Sequence, residues 1–122
     1  MMKNVLLFLF AGLFMSSCLK DKTVEPTPPP SGPCADTVSF NEELLPEIFN
    51  LSCNTSGCHD AGAGSAGYVL ETHDQISSNA NVIFNVINHD AGFVPMPYGG
   101  EQLADSLIQK VDCWIQQGKL NN

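Results

Sequence analysis

Two cysteines with four residues between them, and a histidine directly behind the second, stand near the middle of the chain in "CNTSGCHD", Cys53 to Asp60. A short loop carrying two thiols and an imidazole cannot be ordinary core or ordinary turn. It has to be closed by a disulfide, tied to a metal, or joined to a prosthetic group, and each choice dictates a different domain. Which applies depends on what the remaining cysteines do.

The chain has 122 residues and begins "MMKNVLLFLFAGLFMSSC". Lys3 supplies a charged start, Val5 to Met15 an apolar run, and Ser16-Ser17 small residues before Cys18. This reads as a signal peptide over 1–17, too short for a spanning helix. Small residues ending in cysteine resemble the lipobox of bacterial lipoproteins, which implies cleavage before Cys18 and lipidation of its thiol. Leu19 to Pro33 is rich in proline and lacks apolar periodicity, so 18–33 reads as a lipidated cysteine and an extended tether. The folded unit is then 34–122. Leu19 after Cys18 fits an outer-membrane address under the sorting pattern of such lipoproteins, facing the periplasm or the cell surface.

Formal net charge is −8, from thirteen acidic residues against five lysines, with no arginine. Loss of Lys3 with the leader brings the mature chain near −9. Nothing in it could neutralise a phosphate backbone, which excludes nucleic acid as a partner. A docking partner should present a basic face.

With Cys18 taken by lipid, four cysteines remain: the close pair Cys53 and Cys58, and Cys34 and Cys113 at the two ends of the domain. An oxidising compartment disfavours free thiols, and a small domain needs staples. A Cys34–Cys113 disulfide is therefore expected.

Ser39 followed by Glu42 forms a capping box at the head of "FNEELLPEIFNLSC", whose Leu44, Leu45, Ile48 and Phe49 share a face. Pro46 should kink or restart that helix. Gly62, Gly64 and Gly67 mark a loop. "NVIFNVINHD" fits a helix through Ile83, Val86 and Ile87 and a strand through Val82, Phe84 and Val86, so periodicity leaves both open. The last element is a helix with Leu103, Leu107, Val111 and Trp114 on one face, Ile108 and Ile115 beside them, and Gly118 as its stop. The fold class is all-α and small, with a loop-rich middle.

The thiol pair and His59 admit four chemistries. Covalent haem has the usual spacing C-x-x-C-H; here the Cys58-His59 adjacency is kept and the spacer is two residues longer. A structural zinc site would need a fourth ligand such as His73 or His89. A redox pair tuned by His59 is the third, and a plain disulfide with a surface histidine the fourth. Met96 shifts the balance towards haem. Met1, Met2 and Met15 leave with the signal peptide, so Met96 is the sole thioether of the mature chain. Pro95 and Pro97 stiffen its loop and hold it extended.

The order of "FNEELLPEIFNLSC", "CNTSGCHD", "GYVLETHDQI", "VPMPYGG" and "LIQKVDCWIQQG" resembles a small class I cytochrome c domain, and more closely the cytochrome-c-like lipoproteins with a widened haem motif. The likeness spans Phe40 to Gly118. It implies one covalent haem c on Cys53 and Cys58, with His59 and Met96 as axial iron ligands and His89 the alternative to Met96. It further implies Trp114 packed near the haem and an electron carrier rather than an enzyme, tethered to a membrane and served by a redox partner protein. In the absence of arginine, the haem propionates would turn to Lys110, Lys119, Tyr98, backbone amides or solvent. His73 reads as a surface helix residue. Two other classes stand beside this one. The first is a haem enzyme or sensor with an open iron site for peroxide or a small gas; the second is a haem-free lipoprotein stapled by 34–113 and 53–58 disulfides.

Overall fold

The computed structural model describes residues 32–122; the expected signal peptide, Cys18 and most of the tether lie outside the described residues. Among the described residues the secondary structure is helical throughout, and no helix is long and apolar enough to cross a membrane. In chain order come a π-helix Phe40–Cys53, a 3-10 turn Ser65–Gly67, and helices α1 His73–Ser78, α2 Ala80–Ile87 and α3 Asp105–Gln116.

The first helix is wound wide. The amides of Leu44 and Asn54 bond five residues back, to the carbonyls of Ser39 and Phe49. It runs unbroken through Pro46, where the sequence suggests a kink. The ring of a proline strikes the carbonyl four residues back in a tighter helix, and a wider turn gives that carbonyl room. The cap shifts in step. Ser39 Oγ accepts from the Glu42 amide as expected, but the carboxylate that returns to the Ser39 amide belongs to Glu43, at 2.8 Å. Phe40, Leu44, Ile48 and Phe49 are buried along one side.

Thr72 and Gln75 cap α1 reciprocally, and Asn79 ends that helix while opening α2. The ambiguity over residues 80–87 resolves as helix, because Ala80, Ile83 and Ile87 all fall on the buried side. In α3 the buried residues are Ile108, Val111, Cys113 and Trp114; Leu103 precedes the helix rather than opening it. At its end the Gly118 amide bonds the Ile115 carbonyl and the Lys119 amide the Trp114 carbonyl, a Schellman closure with Gly118 at φ +91°. Helix α3 packs on both α2 and the π-helix, and α1 packs on α2.

The centre of this packing is aromatic. Trp114 stacks on Phe40 at 5.6 Å between ring centroids and donates its indole N–H to the Leu120 carbonyl at 2.8 Å. His73 meets both rings edge-on, at 4.9 and 5.9 Å, and its Nε2 donates to the Lys119 carbonyl. It is a packing residue, not the surface residue its polar neighbours suggest.

The two ends of the domain are tied on this same side. Cys34 and Cys113 form a disulfide with 5.1 Å between Cα atoms. Closing so long a stretch of chain is worth about 4.5 kcal/mol in the chain-entropy account. Gln117 accepts from the Val38 amide and donates to the Asp36 carbonyl. Asn122 accepts the amides of Phe40 and Asn41, which the helix start leaves unpaired.

Candidate functional site

The π-helix ends at Cys53, and the motif loop begins there. The four spacer residues are used as follows. The Cys58 amide bonds the Thr55 carbonyl, with Gly57 at φ +85° in the third position. That is a type II turn, and only glycine adopts its third position without cost. The turn pushes the spacer outward while the His59 amide returns to the Cys53 carbonyl at 3.1 Å. The two cysteines and the histidine thereby line one cavity despite the longer spacing. The Ser65 amide on the Cys58 carbonyl and the Leu70 amide on the His59 carbonyl hold the motif from the far side.

Cys53, Cys58, His59 and Met96 all line one cavity of about 440 Å³. Its remaining wall is largely apolar, drawn from Leu70, Ile83, Val86, Ile87 and Leu103, and Tyr98 stands at its edge with 83 % of its surface exposed. A second cavity of about 300 Å³ shares His59, Leu70, Ile83, Val86 and Met96 with the first. These five residues are common walls. The volume is in the range of small-molecule and cofactor pockets.

Cys53 and Cys58 are free thiols, Cys53 half-buried and Cys58 exposed. Burial pushes the Cys53 thiol up to about 12, and the adjacent Cys58 adds to the shift. His59 Nδ1 lies 3.1 Å from the Tyr68 carbonyl. A carbonyl only accepts, so Nδ1 carries the proton and donates. In the neutral ring Nε2 then holds the lone pair, the arrangement a metal-ligating histidine uses.

Met96 arrives on the loop after α2, and its amide donates to the Val86 carbonyl at 2.9 Å. His89 does not line the cavity; its Nε2 lies 3.1 Å from the Met96 carbonyl. His73 is equally committed, to the Lys119 carbonyl. Neither joins the thiols and His59, and among the described residues no group of three or more His, Cys, Asp or Glu could hold a metal ion. The zinc arrangement, with either histidine as fourth ligand, is therefore not assembled.

Trp114, expected near a haem, is fully buried against Phe40 and His73 and does not line the cavity. The Phe40 stack, the His73 edge and the hydrogen bond to the Leu120 carbonyl hold its ring in the core instead. Lys110 is also elsewhere, held by Glu47 at 2.8 Å and Glu43 at 3.0 Å, and Lys119 is not a cavity residue. Of the side chains named for propionates, only Tyr98 is at the cavity.

Sequence reasoning missed the Tyr68 carbonyl, because a backbone acceptor has no side-chain signature. It also missed the wall residues Leu70 and Leu103. The helical spacing of Ile83, Val86 and Ile87 was the available signal for the rest of the wall.

No family model, curated protein or solved structure matches this chain.

Proposed function

We propose that the protein is a membrane-tethered, monohaem c-type cytochrome that carries single electrons in the cell envelope. One observation carries the reading: the two thiols and the imidazole of one short motif share a largely apolar cavity with the sole thioether of the mature chain, which is distant in sequence.

The donor set suits haem c. Cys53 and Cys58 would hold it through thioethers, His59 Nε2 and Met96 Sδ would be the donors to its iron, and the exposed Tyr98 at the cavity edge would be the side chain to meet a propionate. When bound, haem c supplies a one-electron ferric–ferrous couple, and the histidine–methionine pair raises its potential. The protein's part is positional. The Tyr68 carbonyl fixes the His59 tautomer and ring orientation, the Gly57 turn takes up the longer spacer, and Leu70, Ile83, Val86, Ile87 and Leu103 supply an apolar wall. Lipid on Cys18 and the tether would hold the domain near a membrane, and the acidic balance of the chain suits a partner with a basic face.

The haem-free alternative needs a second disulfide, whereas Cys53 and Cys58 are free thiols. Protein made in a host that attaches haem c should show a c-type reduced pyridine haemochrome spectrum. It should also keep its haem stain on a denaturing gel, and Cys53→Ala/Cys58→Ala should lose it. Stain that washes out of the wild-type protein would sink the proposal.

A further inference from the structure

We infer that His89 is the brace that positions Met96, and not a ligand in its place; its meaning for the iron rests on the cytochrome reading above. The Met96 carbonyl can only accept, so the His89 Nε2 that lies 3.1 Å away donates a proton to it. That nitrogen, carrying the proton, has no lone pair for a metal, and the His89 side chain is not among those that line the cavity.

The surroundings of Met96 show why a brace is needed. Met96 itself is half-buried against the core, but Phe93 is 41 % exposed, Val94 56 % and Tyr98 83 %, so apolar burial does little to fix the backbone around it. Two hydrogen bonds do it instead, one on each side of the Met96 Cα: the amide to Val86 on α2, and the carbonyl from His89. The second depends on a turn built for it. The Asp90 amide bonds the Asn85 carbonyl, the Phe93 amide bonds the Asp90 carbonyl, and Asn88 Nδ2 donates to Asp90 Oδ1 at 2.8 Å. Within this turn His89 takes φ +57°, a left-handed conformation that costs a residue with a Cβ and that glycine would take freely. A histidine at that position brings a steric cost, and what it supplies is the ring that reaches Met96.

Two variants separate the brace from general stability. His89→Gly relieves the left-handed cost and removes the donor, while His89→Gln restores a side-chain N–H of similar reach. In haem-free protein, amide hydrogen exchange at Met96 should quicken about fivefold to tenfold in His89→Gly, the value of one net hydrogen bond. The Trp114 amide should not change, the melting temperature should not fall, and His89→Gln should return Met96 towards wild type. In ferric haem-loaded protein, His89→Gly should weaken the far-red sulfur-to-iron band and bind added imidazole about fivefold to tenfold more tightly.

Unchanged Met96 exchange in His89→Gly overturns the brace. So does a wild-type spectrum that lacks the sulfur band and changes in His89→Gln, which makes His89 the ligand. Wild-type protein that takes up no haem overturns the cytochrome reading and any role of His89 towards iron, and the exchange experiment still decides whether His89 holds Met96.

Discussion

The side of the domain around Trp114 and the side around Met96 are built on opposite principles. Around Trp114, rings and aliphatic chains fill space: Phe40, Ile48, Phe49, Val111 and Trp114 are essentially inaccessible, and the Cys34–Cys113 bridge and Asn122 lock the ends together. Around Met96 space is left open, and position is set by single backbone hydrogen bonds to Val86, Cys53, Cys58 and His59. A chain this small does not leave a cavity of about 440 Å³ beside its core without forfeiting contacts it can ill spare. The tied side supplies the stability that the open side gives up.

That contrast should be largest in stability. Cys34→Ser/Cys113→Ser should lower unfolding free energy by about 4 kcal/mol, read as a lower urea midpoint with a steeper slope, because the unbridged unfolded chain exposes more surface. Leu103→Ala, on the cavity wall, should cost about 1 kcal/mol or less in haem-free protein, because a residue already facing space leaves little new cavity. If the two changes cost the same, the division into tied and open sides fails. On the proposed cytochrome reading, haem would fill that space and the Leu103→Ala cost should rise in the loaded protein.

Next in size is the difference between the two thiols. Burial first and the neighbouring Cys58 second push the Cys53 thiol up to about 12, while Cys58 is exposed. Because the thiolate is the nucleophile, iodoacetamide at pH 8 should alkylate Cys58 of haem-free protein roughly a hundredfold faster than Cys53. The folded Cys53 value stands above the ordinary 9.0, so the neutral thiol is what the fold favours. That stability is whole below pH 9.0 and is lost as pH rises towards about 12. Equal labelling rates would show that the cavity admits solvent to Cys53 as freely as to Cys58.

Much of the tied side was legible in the sequence, because its signals are local or arithmetical. Cys34 and Cys113 were the pair left over, Gly118 marked the end of α3, and Leu44, Ile48 and Phe49 announced a face. What failed there failed by small displacements. The cap partner is Glu43 rather than Glu42, since a helix wound five residues back brings a different side chain round. His73 is packed because α1 is placed against Trp114 by tertiary contacts, which no periodicity encodes. On the open side, the sequence singled out Cys53, Cys58, His59 and Met96, and all four line one cavity. It could not indicate that His89 faces a carbonyl, since that depends on a left-handed turn at a residue that seldom takes one.

A smaller effect tests how much the Schellman closure contributes to turning Trp114 inward. A Cβ on Gly118 would meet nothing within 4 Å, so Gly118→Ala tests φ +91° alone and not crowding. The expected cost is about 1 kcal/mol, with the Trp114 fluorescence maximum unchanged in the folded state. A red shift there would mean that the turn, and not the Phe40 stack, is what keeps the indole out of water.

The smallest effect belongs to Lys110, which joins Glu43 and Glu47 across α3 and the π-helix. All three side chains are about a third exposed or more, so Lys110→Met should cost only a few tenths of a kcal/mol and less in high salt. The acid response separates its partners. Glu43 is held below its ordinary 4.5 first by the Ser39 amide and only then by Lys110. A lowered carboxylate contributes stability above pH 4.5 that is lost as pH falls through the folded value. Lys110→Met should therefore keep most of the Glu43 acid dependence, and Glu43→Gln should remove it. Lys110 itself is raised above its ordinary value by Glu47 first and Glu43 second, so its share is whole at neutral pH and is lost only as pH rises through the folded value. Should Lys110→Met abolish the acid dependence that Glu43→Gln abolishes, the ion pair and not the helix cap governs Glu43, and the start of the π-helix is held from α3 rather than by its own first turn.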